Sequence, residues 1–322
     1  MTTKENVLML LEENRGAVLS GEEMAARLGV SRAAVWKAIQ TLQSEGHQIE
    51  AGTNRGYTLC AASDVLTPQG ILPYLVKKDV QVQAQTTVDS TNLVAKRMAA
   101  AGAPHGSLAA ASCQTAGRGR RGRSFLSPAG TGLYLSVVLR SSVSMESAAC
   151  ITAAAAVAVC RALRSVCGDT DARIKWVNDV YQHGKKCCGI LTEAAADMES
   201  GGVESIVVGI GLNLHTPSGG FPPELANVAG AFFADDVPVP RCRLAAVITN
   251  ELLRLCDALP ARPFMDEYRA LNFVPGRDVL VLQNGTQHPA HAERITDDGH
   301  LVVRLPDGGA EELSFGEVSI RG

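Results

Sequence analysis

The sequence has almost no surplus of charge: 30 Lys+Arg stand against 33 Asp+Glu in 322 residues, a net −3. That excludes a cationic body, so any phosphate or nucleic-acid chemistry must rest on local basic patches. Long apolar runs are missing too. The longest, Ala148 to Cys160 with Thr152 inside it, falls short of the ~20 residues that span a bilayer. The start Met-Thr-Thr-Lys-Glu also lacks the basic and apolar segments of a secretory signal, so a cytoplasmic chain with no membrane partner is expected. Nine cysteines are odd in number and never stand in Cys-x-x-Cys spacing, which removes zinc knuckles and redox pairs and leaves reduced core thiols. The seven histidines show no metal-ligand spacing beyond a casual i,i+3 pair. No Walker A segment and no Ser-His-Asp or Cys-His motif can be read. No metal ligands are assigned, and hydrolase and metalloenzyme readings lose ground. Aromatics make only 4%, yet 46% hydrophobic and 20% charged residues describe a folded protein of two or three domains.

What is present begins with three short helices and a hairpin. Val7, Leu8, Leu10 and Leu11 give a first apolar stripe, and Ser20-Gly-Glu-Glu23 reads as a capping box with Glu23 reaching back. The second helix carries Met24 and Leu28 and stops at Gly29; Ser31 caps a third that runs to about Ser44. Gln48–Ala51 and Gly56–Leu59 then form a hairpin around Gly52-Thr-Asn-Arg55, where a wing would sit, with Arg55 at its tip. This spacing fits a winged helix-turn-helix, and equally a small structural bundle. The third helix favours the first reading: Ser31, Arg32, Lys37, Gln40, Thr41 and Gln43 offer phosphate and base-edge partners, while Val35, Ile39 and Leu42 face inward. Trp36 reads as packing and His47 as a loop residue. Residues 1–63 hold six Lys+Arg against seven Asp+Glu, so DNA affinity must depend on one face.

From about Ala62 to Phe273 strands alternate with helices, with strands at Leu133–Arg140, Ile174–Val177, Lys186–Thr192 and Ser205–Leu214 and helices at Ala148–Val166 and Arg243–Leu259. A mixed α/β domain follows. Beyond Pro275, short strands with tight turns (Asp278–Gln283, His291–Ile295, His300–Leu305, Glu311–Ser314, Glu317–Ile320) predict a small β-barrel that docks on the middle domain. The fold class is therefore α+β multidomain, with boundaries at residues 63/64 and 274/275.

The most unusual segment is Gly117-Arg-Gly-Arg-Arg-Gly-Arg123, four arginines and three glycines in seven residues. Clustered guanidinium groups suit phosphate or carboxylate oxygens, and the glycines would let successive N–H groups turn toward one anion. A solvated basic loop or an Arg-Gly tract has the same composition, but a position within the α/β domain favours a ligand loop. Lys175-Trp-Val-Asn-Asp179 places a cation, an amide and a carboxylate at a strand end; alternation sets Lys175 and Val177 on one face, Trp176 and Asn178 on the other. On pattern alone Lys175 is either an edge residue or a site residue.

Ser31-Arg-Ala-Ala, Asp89-Ser-Thr-Asn92, Gln114-Thr-Ala-Gly-Arg-Gly-Arg-Arg-Gly-Arg123, Lys175-Trp-x-Asn-Asp179, Lys186-x-x-Gly-Ile-Leu-x-Glu193 and Gly209-x-Gly-x-Asn213 occur in this order. Together they resemble the bifunctional biotin–protein ligases that also repress biotin operons, over nearly the whole chain. The resemblance implies a winged helix-turn-helix, a ligase domain and an SH3-like C-terminal barrel. It implies that biotin and ATP, with Mg²⁺, form biotinoyl-5′-AMP, and that biotin passes to a lysine of a biotin carrier protein. By position, Ser90, Thr91, Asn92, Gln114, Arg118, Gly119, Arg120 and Lys175 contact biotin or the adenylate. Lys175, Arg118 and Arg120 serve the reaction itself. Arg121, Arg123, Phe125, Asn178, Lys186 and Asn213 fall to the nucleotide, and Ser31, Arg32, Lys37, Gln40 and Arg55 to operator DNA. The adenylate-bound protein would be a homodimer on its operator. Two departures stand out: Val177 replaces the family's usual proline, and Phe125 its usual tryptophan, both expected to tune rates. A ligase with a non-regulatory helix-turn-helix is the second reading and a pure ligand-sensing transcription factor the third; a lipoate ligase shares the general fold.

Overall fold

The computed structural model describes residues 1–322 except 53–55, 141–147, 169, 197–202, 284 and 321–322. Arg55 and the turn residue Asn284 thus lie outside the described residues. The chain opens with α1 (Thr3–Glu13), α2 (Gly21–Leu28) and α3 (Arg32–Ser44), then the antiparallel pair β1 (Ile49–Gly52) and β2 (Gly56–Leu59). The complete capping box sits at α1, where the Thr2 hydroxyl accepts from Glu5 and the Glu5 carboxylate from Thr2. At α2 only half of the expected box forms. Ser20 accepts from the Glu23 N–H at 3.0 Å, but the Glu23 carboxylate pairs with Arg27 one turn on, a competing i,i+4 partner. Gly29 ends α2 at φ 65°, which explains why glycine stands there. Val7, Leu11, Met24, Val35, Ile39, Leu42 and Leu59 close a core separate from the rest of the molecule.

The middle of the chain contributes α4 (Pro68–Ile71), β3 (Val82–Val88), α5 (Thr91–Ala100), β4 (Leu108–Gln114), β5 (Gly132–Leu139), α6 (Ala148–Cys167), β6 (Arg173–Lys175), β7 (Asp179–Gln182), β8 (Lys185–Ala196), β9 (Val203–Asn213), α7 (Arg241–Asp257) and α8 (Met265–Leu271). The strands form one mixed seven-stranded sheet in the order β3-β4-β5-β9-β8-β7-β6, with β3 and β4 parallel and every other pair antiparallel. Strand alternation divides the sheet's faces. Leu108, Ala110, Leu133, Leu135, Ile206, Val208 and Ile210 pack toward α6 and α7, whereas Ala109, Ala111, Val138 and Val207 pack under α5. Helix α6 is 20 residues long, longer than the apolar run in the sequence, because Arg161 and Arg164 are accommodated within it. By length and composition its stretch Ala149–Cys167 could cross a membrane, but it is largely buried inside the protein, as a core helix is.

Strand β6 is shorter than the Ile174–Val177 expected from pattern. It ends at Lys175, whose register partner is Asp179, so Trp176, Val177 and Asn178 form the turn into β7 and the alternation assigned to them does not apply. The Trp176–Val177 peptide is cis. The C-terminal strands β10 (Asp278–Gln283), β11 (Thr286–Ile295), β12 (Leu301–Arg304), β13 (Ala310–Leu313) and β14 (Glu317–Ile320) make a five-stranded antiparallel sheet, β13-β12-β11-β10-β14. Strand β11 begins five residues earlier than the pattern suggested, and Pro289 lies on its first half, before pairing with β12 starts at His291. The core of this sheet is continuous with that of the central domain. Trp176 donates its indole N–H to Gly299 at 2.8 Å, and Arg262 and Arg269 grip Asp298 and Asp297 of the same turn.

The N-terminal unit meets the central domain through a polar joint. Buried Glu12 pairs with Arg15 at 2.6 Å and accepts from the Tyr74 hydroxyl at 3.1 Å. Arg15 also donates to the carbonyls of Cys60 and Ser63 at 2.9 and 2.8 Å. Next along the chain, Arg241 holds the Asp64 carboxylate at 2.5 Å and its carbonyl at 2.9 Å, and reaches Ser112 of β4 and Gly132 of β5.

Candidate active site

On the α5 face of the sheet, beyond the end of that helix, the strands carry almost no side chains. Gly209 and Gly211 of β9 follow Val207 along this face, and Gly189 of β8 lies opposite Gly211 in the register. A cavity of about 260 Å³ opens above them. The glycines are required by close approach: a methyl at 209 would collide with Asn92 Oδ1, and one at 211 would come within 2.5 Å of the Phe125 ring. Phe125 therefore lies along the cavity floor on Gly189 and Gly211, edge-on to Tyr134 at 6.4 Å between ring centroids.

At one end the first turn of α5 presents Ser90, Thr91 and Asn92, all buried. Gln114, at the end of β4, accepts from the Thr91 N–H at 2.8 Å and donates to Ser127 at 2.9 Å. Asn92 donates to Glu193 at 2.8 Å while its oxygen lies 2.6 Å from the Ser136 hydroxyl. Glu193 also binds Lys96 at 2.7 Å and faces Arg118 at 3.8 Å. Burial pushes its carboxyl pKa up, but the Lys96 and Asn92 hydrogen bonds prevail and hold it below the ordinary value.

The arginine loop closes on itself. Gly119 N–H donates to Arg123 O at 2.7 Å and Phe125 N–H to Gly117 O at 2.9 Å, while Arg121 (φ 57°) and Gly122 (φ 74°) reverse the chain between them. The expectation that its glycines aim successive N–H groups at one anion is thus not met: the Gly119 N–H already serves the loop, and Gly117 is small because Phe125 O lies against it. Arg118, Arg120 and Arg123 line the cavity instead. Arg120 donates to Asn178 at 2.9 Å, and Asn178 donates in turn to Ile190 O. Arg123 pairs with Glu317 of β14 at 2.8 Å.

Lys175 lines the same cavity from the end of β6, with its ammonium 5.6 Å from the Tyr181 ring. Burial lowers its pKa, partly opposed by Asp179. Among the described residues no carboxylate lies within ion-pair distance of it, whereas Lys186 is paired with Asp179 at 2.7 Å. Burial likewise lowers the pKa of Arg120. Of the residues assigned from sequence, Ser90, Thr91, Asn92, Gln114, Arg118, Gly119, Arg120, Arg123, Phe125, Lys175, Asn178 and Lys186 all line this one cavity. Arg121 and Asn213 do not. Arg121 points to Leu282 O of the C-terminal sheet and Asn213 donates to Gly230 O. Sequence reasoning missed Asp179, Tyr181 and Glu317. Asp179 stood inside a quoted motif, but nothing in the sequence ties Glu317 to a loop nearly two hundred residues away.

On the N-terminal unit, Arg32, Lys37 and Gln40 are exposed along α3, while the Ser31 hydroxyl caps the helix. Gln43 is engaged with Ile49 O and Thr41 with its own helix. One reading is corrected. Trp36 does not pack; it is 58% exposed beside Lys37, because the inward stripe is already filled by Val35 and Ile39. His47 lies in the loop between α3 and β1 as expected, but is buried there, and burial lowers its pKa.

Several cations around a small cavity, one of them a lysine without a carboxylate partner among the described residues, suit a site that brings two anions together, and an exposed basic helix ahead of it suits a regulator: an anion-joining ligase with a helix-turn-helix unit. Comparison with known proteins agrees. Residues 83–213 match the biotin/lipoate A/B protein ligase family and residues 3–58 an HTH domain. The bifunctional ligase/repressor BirA of Bacillus spizizenii is 37% identical over 232 residues, 71% of this chain and 70% of that protein. BirA of Escherichia coli is 30% identical over 95% of this chain and 94% of that protein. The structure of a biotin protein ligase from Aquifex aeolicus in complex with biotin and ATP superposes with a TM-score of 0.62 at 23% identity, covering 75% of this chain and 98% of that one. The chain belongs to the biotin/lipoate A/B protein ligase family.

Proposed function

We infer that the protein is an ATP-dependent biotin–protein ligase that also represses transcription from a biotin operon. The observation that carries this reading is the Lys175 ammonium, without a carboxylate at ion-pair distance among the described residues, lining one glycine-floored cavity with Arg118, Arg120 and Arg123, in a chain alignable with a bifunctional ligase/repressor over 94% of that protein's length. In the first step a biotin carboxylate oxygen attacks the α-phosphorus of ATP and pyrophosphate leaves, giving biotinoyl-5′-AMP. In the second, a carrier lysine amine attacks the acyl carbon and AMP leaves. Lys175, Arg118 and Arg120 offset the repulsion between the two anions and the charge that develops at phosphorus. Ser90, Thr91, Asn92 and Gln114 form the biotin end, with Gln114 and Asn92 already oriented by their neighbours. Arg123 and Lys186 are the phosphate partners once Glu317 and Asp179 yield them. Asn178 acts by holding Arg120. Mg²⁺ enters with ATP as part of the substrate. Asp179 and Glu317 are the lining carboxylates that could face it, and since each is paired with a cation, the metal would be held chiefly by the triphosphate.

The chain divides at 63/64 and 274/275, and the C-terminal sheet is read as an SH3-like unit. The adenylate-bound enzyme is a cytoplasmic homodimer whose two α3 helices meet one operator, with Arg32, Lys37 and Gln40 toward the DNA. Biotin-dependent ATP–pyrophosphate exchange together with labelling of a purified carrier domain tests the ligase; absence of both refutes it. A mobility shift on DNA upstream of its biotin genes, with and without biotin and ATP, tests repression; no ligand-dependent shift leaves a ligase with a non-regulatory helix-turn-helix.

A further inference from the structure

Glu193 is not among the residues lining the cavity, yet three groups that belong to the site or support it converge on its carboxylate. Oε2 accepts from Asn92 Nδ2 at 2.8 Å; Oε1 accepts from Lys96 Nζ at 2.7 Å and lies 3.8 Å from Arg118 Nη1. The register explains the convergence. Glu193 pairs with Val207 on β8–β9, which sets it two positions beyond Leu191 and Gly209 on the same face, under the first turns of α5. Asn92 and Lys96, four apart, project from one side of that helix.

A carboxylate can only accept hydrogen bonds. Facing one, the Asn92 amide has a single satisfactory orientation: NH₂ toward Glu193 and oxygen toward the Ser136 hydroxyl at 2.6 Å. Gly209 beneath has no Cβ and so leaves room for that oxygen, which a methyl there would meet at 2.0 Å. The longer Arg118 contact is charge attraction without a hydrogen bond, weak enough to hold the side chain at the cavity edge and let it go when a stronger anion arrives.

We propose that Glu193 is a positioning residue for biotin adenylation, fixing the Asn92 amide and tethering Arg118 through one carboxylate. The inference rests on the ligase reading. It is tested by Glu193→Gln, which keeps the shape but presents a group that both donates and accepts, so Asn92 loses its single orientation and Arg118 its counter-charge. Biotin-dependent pyrophosphate exchange by E193Q should show KM for biotin raised about tenfold, with kcat reduced less than threefold and an unchanged melting temperature. Lys96→Met, which removes the other anchor of α5 on Glu193, should leave KM for biotin within twofold; this separates positioning from docking of the helix. Unchanged KM in E193Q, or equal KM changes in both variants accompanied by a fall in melting temperature, overturns the proposal while an active parent enzyme keeps the ligase reading intact. No exchange by the parent enzyme overturns both.

Discussion

Lys175→Met keeps the length of the side chain and removes its charge. The ammonium it deletes is half-buried in the cavity and, among the described residues, has no carboxylate at ion-pair distance, so no other side chain depends on it for neutralisation. Its loss should therefore be felt by the substrate rather than by the fold. A preorganised donor aimed at developing charge is worth ~2.7–4 kcal/mol, or 10²–10³ in kcat. The expected result is a fall of about that size in biotin-dependent exchange. Stability should move the other way. Burial lowers the folded-state pKa of Lys175, so near neutrality the folded protein carries this cation at a disadvantage relative to the unfolded chain, and the melting temperature of K175M should be unchanged or slightly higher. Exchange kinetics and thermal denaturation of the same preparation read both quantities. Exchange within tenfold of the parent, or a loss of activity matched by a lower melting temperature, would refute the reasoning.

The protonated lysine is the active form and its pKa is lowered, so the alkaline limb of the exchange rate should fall below the 10.5 of an ordinary lysine; a profile flat to that pH counts against Lys175 as the working cation. Gly209→Ala should displace Asn92 from Glu193 and Ser136; losing one charged and one neutral hydrogen bond amounts to ~2–4 kcal/mol, seen as a rise in KM for biotin of at least tenfold. Of the two tryptophans, Trp36 is exposed and Trp176 buried, so iodide should quench only the first, and operator DNA should protect it; quenching that DNA leaves untouched would separate α3 from DNA reading. Arg241→Ala removes the clamp on Asp64 and the contacts to β4 and β5, and differential scanning should show a lower melting temperature.

The parts legible in the sequence were those governed by local chemistry. Helix ends followed from Ser20, Gly29 and Ser31, strands from alternation, and the cavity's arginines and Lys175 from motifs that keep their order. What could not be read came from competition or distance. Glu23 had two possible partners, and Arg27, one turn away, won. The turn at Trp176–Asn178 looked like continued strand because its apolar residues are buried by α8 and the Gly299 turn, not by a sheet face. Arg121 and Asn213 belong to motifs whose other members reach the cavity, but Arg121 sits in a left-handed turn and points to Leu282 O, while the Asn213 amide is taken up by Gly230 O. Trp36 reads as packing by residue type, yet it is exposed because Val35 and Ile39 already fill the stripe beside it.

The joint at residues 60–64 carries one more consequence. A linker whose carbonyls are gripped by Arg15 and Arg241 cannot act as a swivel. The angle at which α3 is presented is set by the body of the enzyme, which makes the N-terminal unit a bracket bolted to a frame. In the proposed homodimer, the separation of the two reading helices would then be dictated by how the frames abut, and the spacing of operator half-sites would be encoded in the face that the ligase domain offers to its twin.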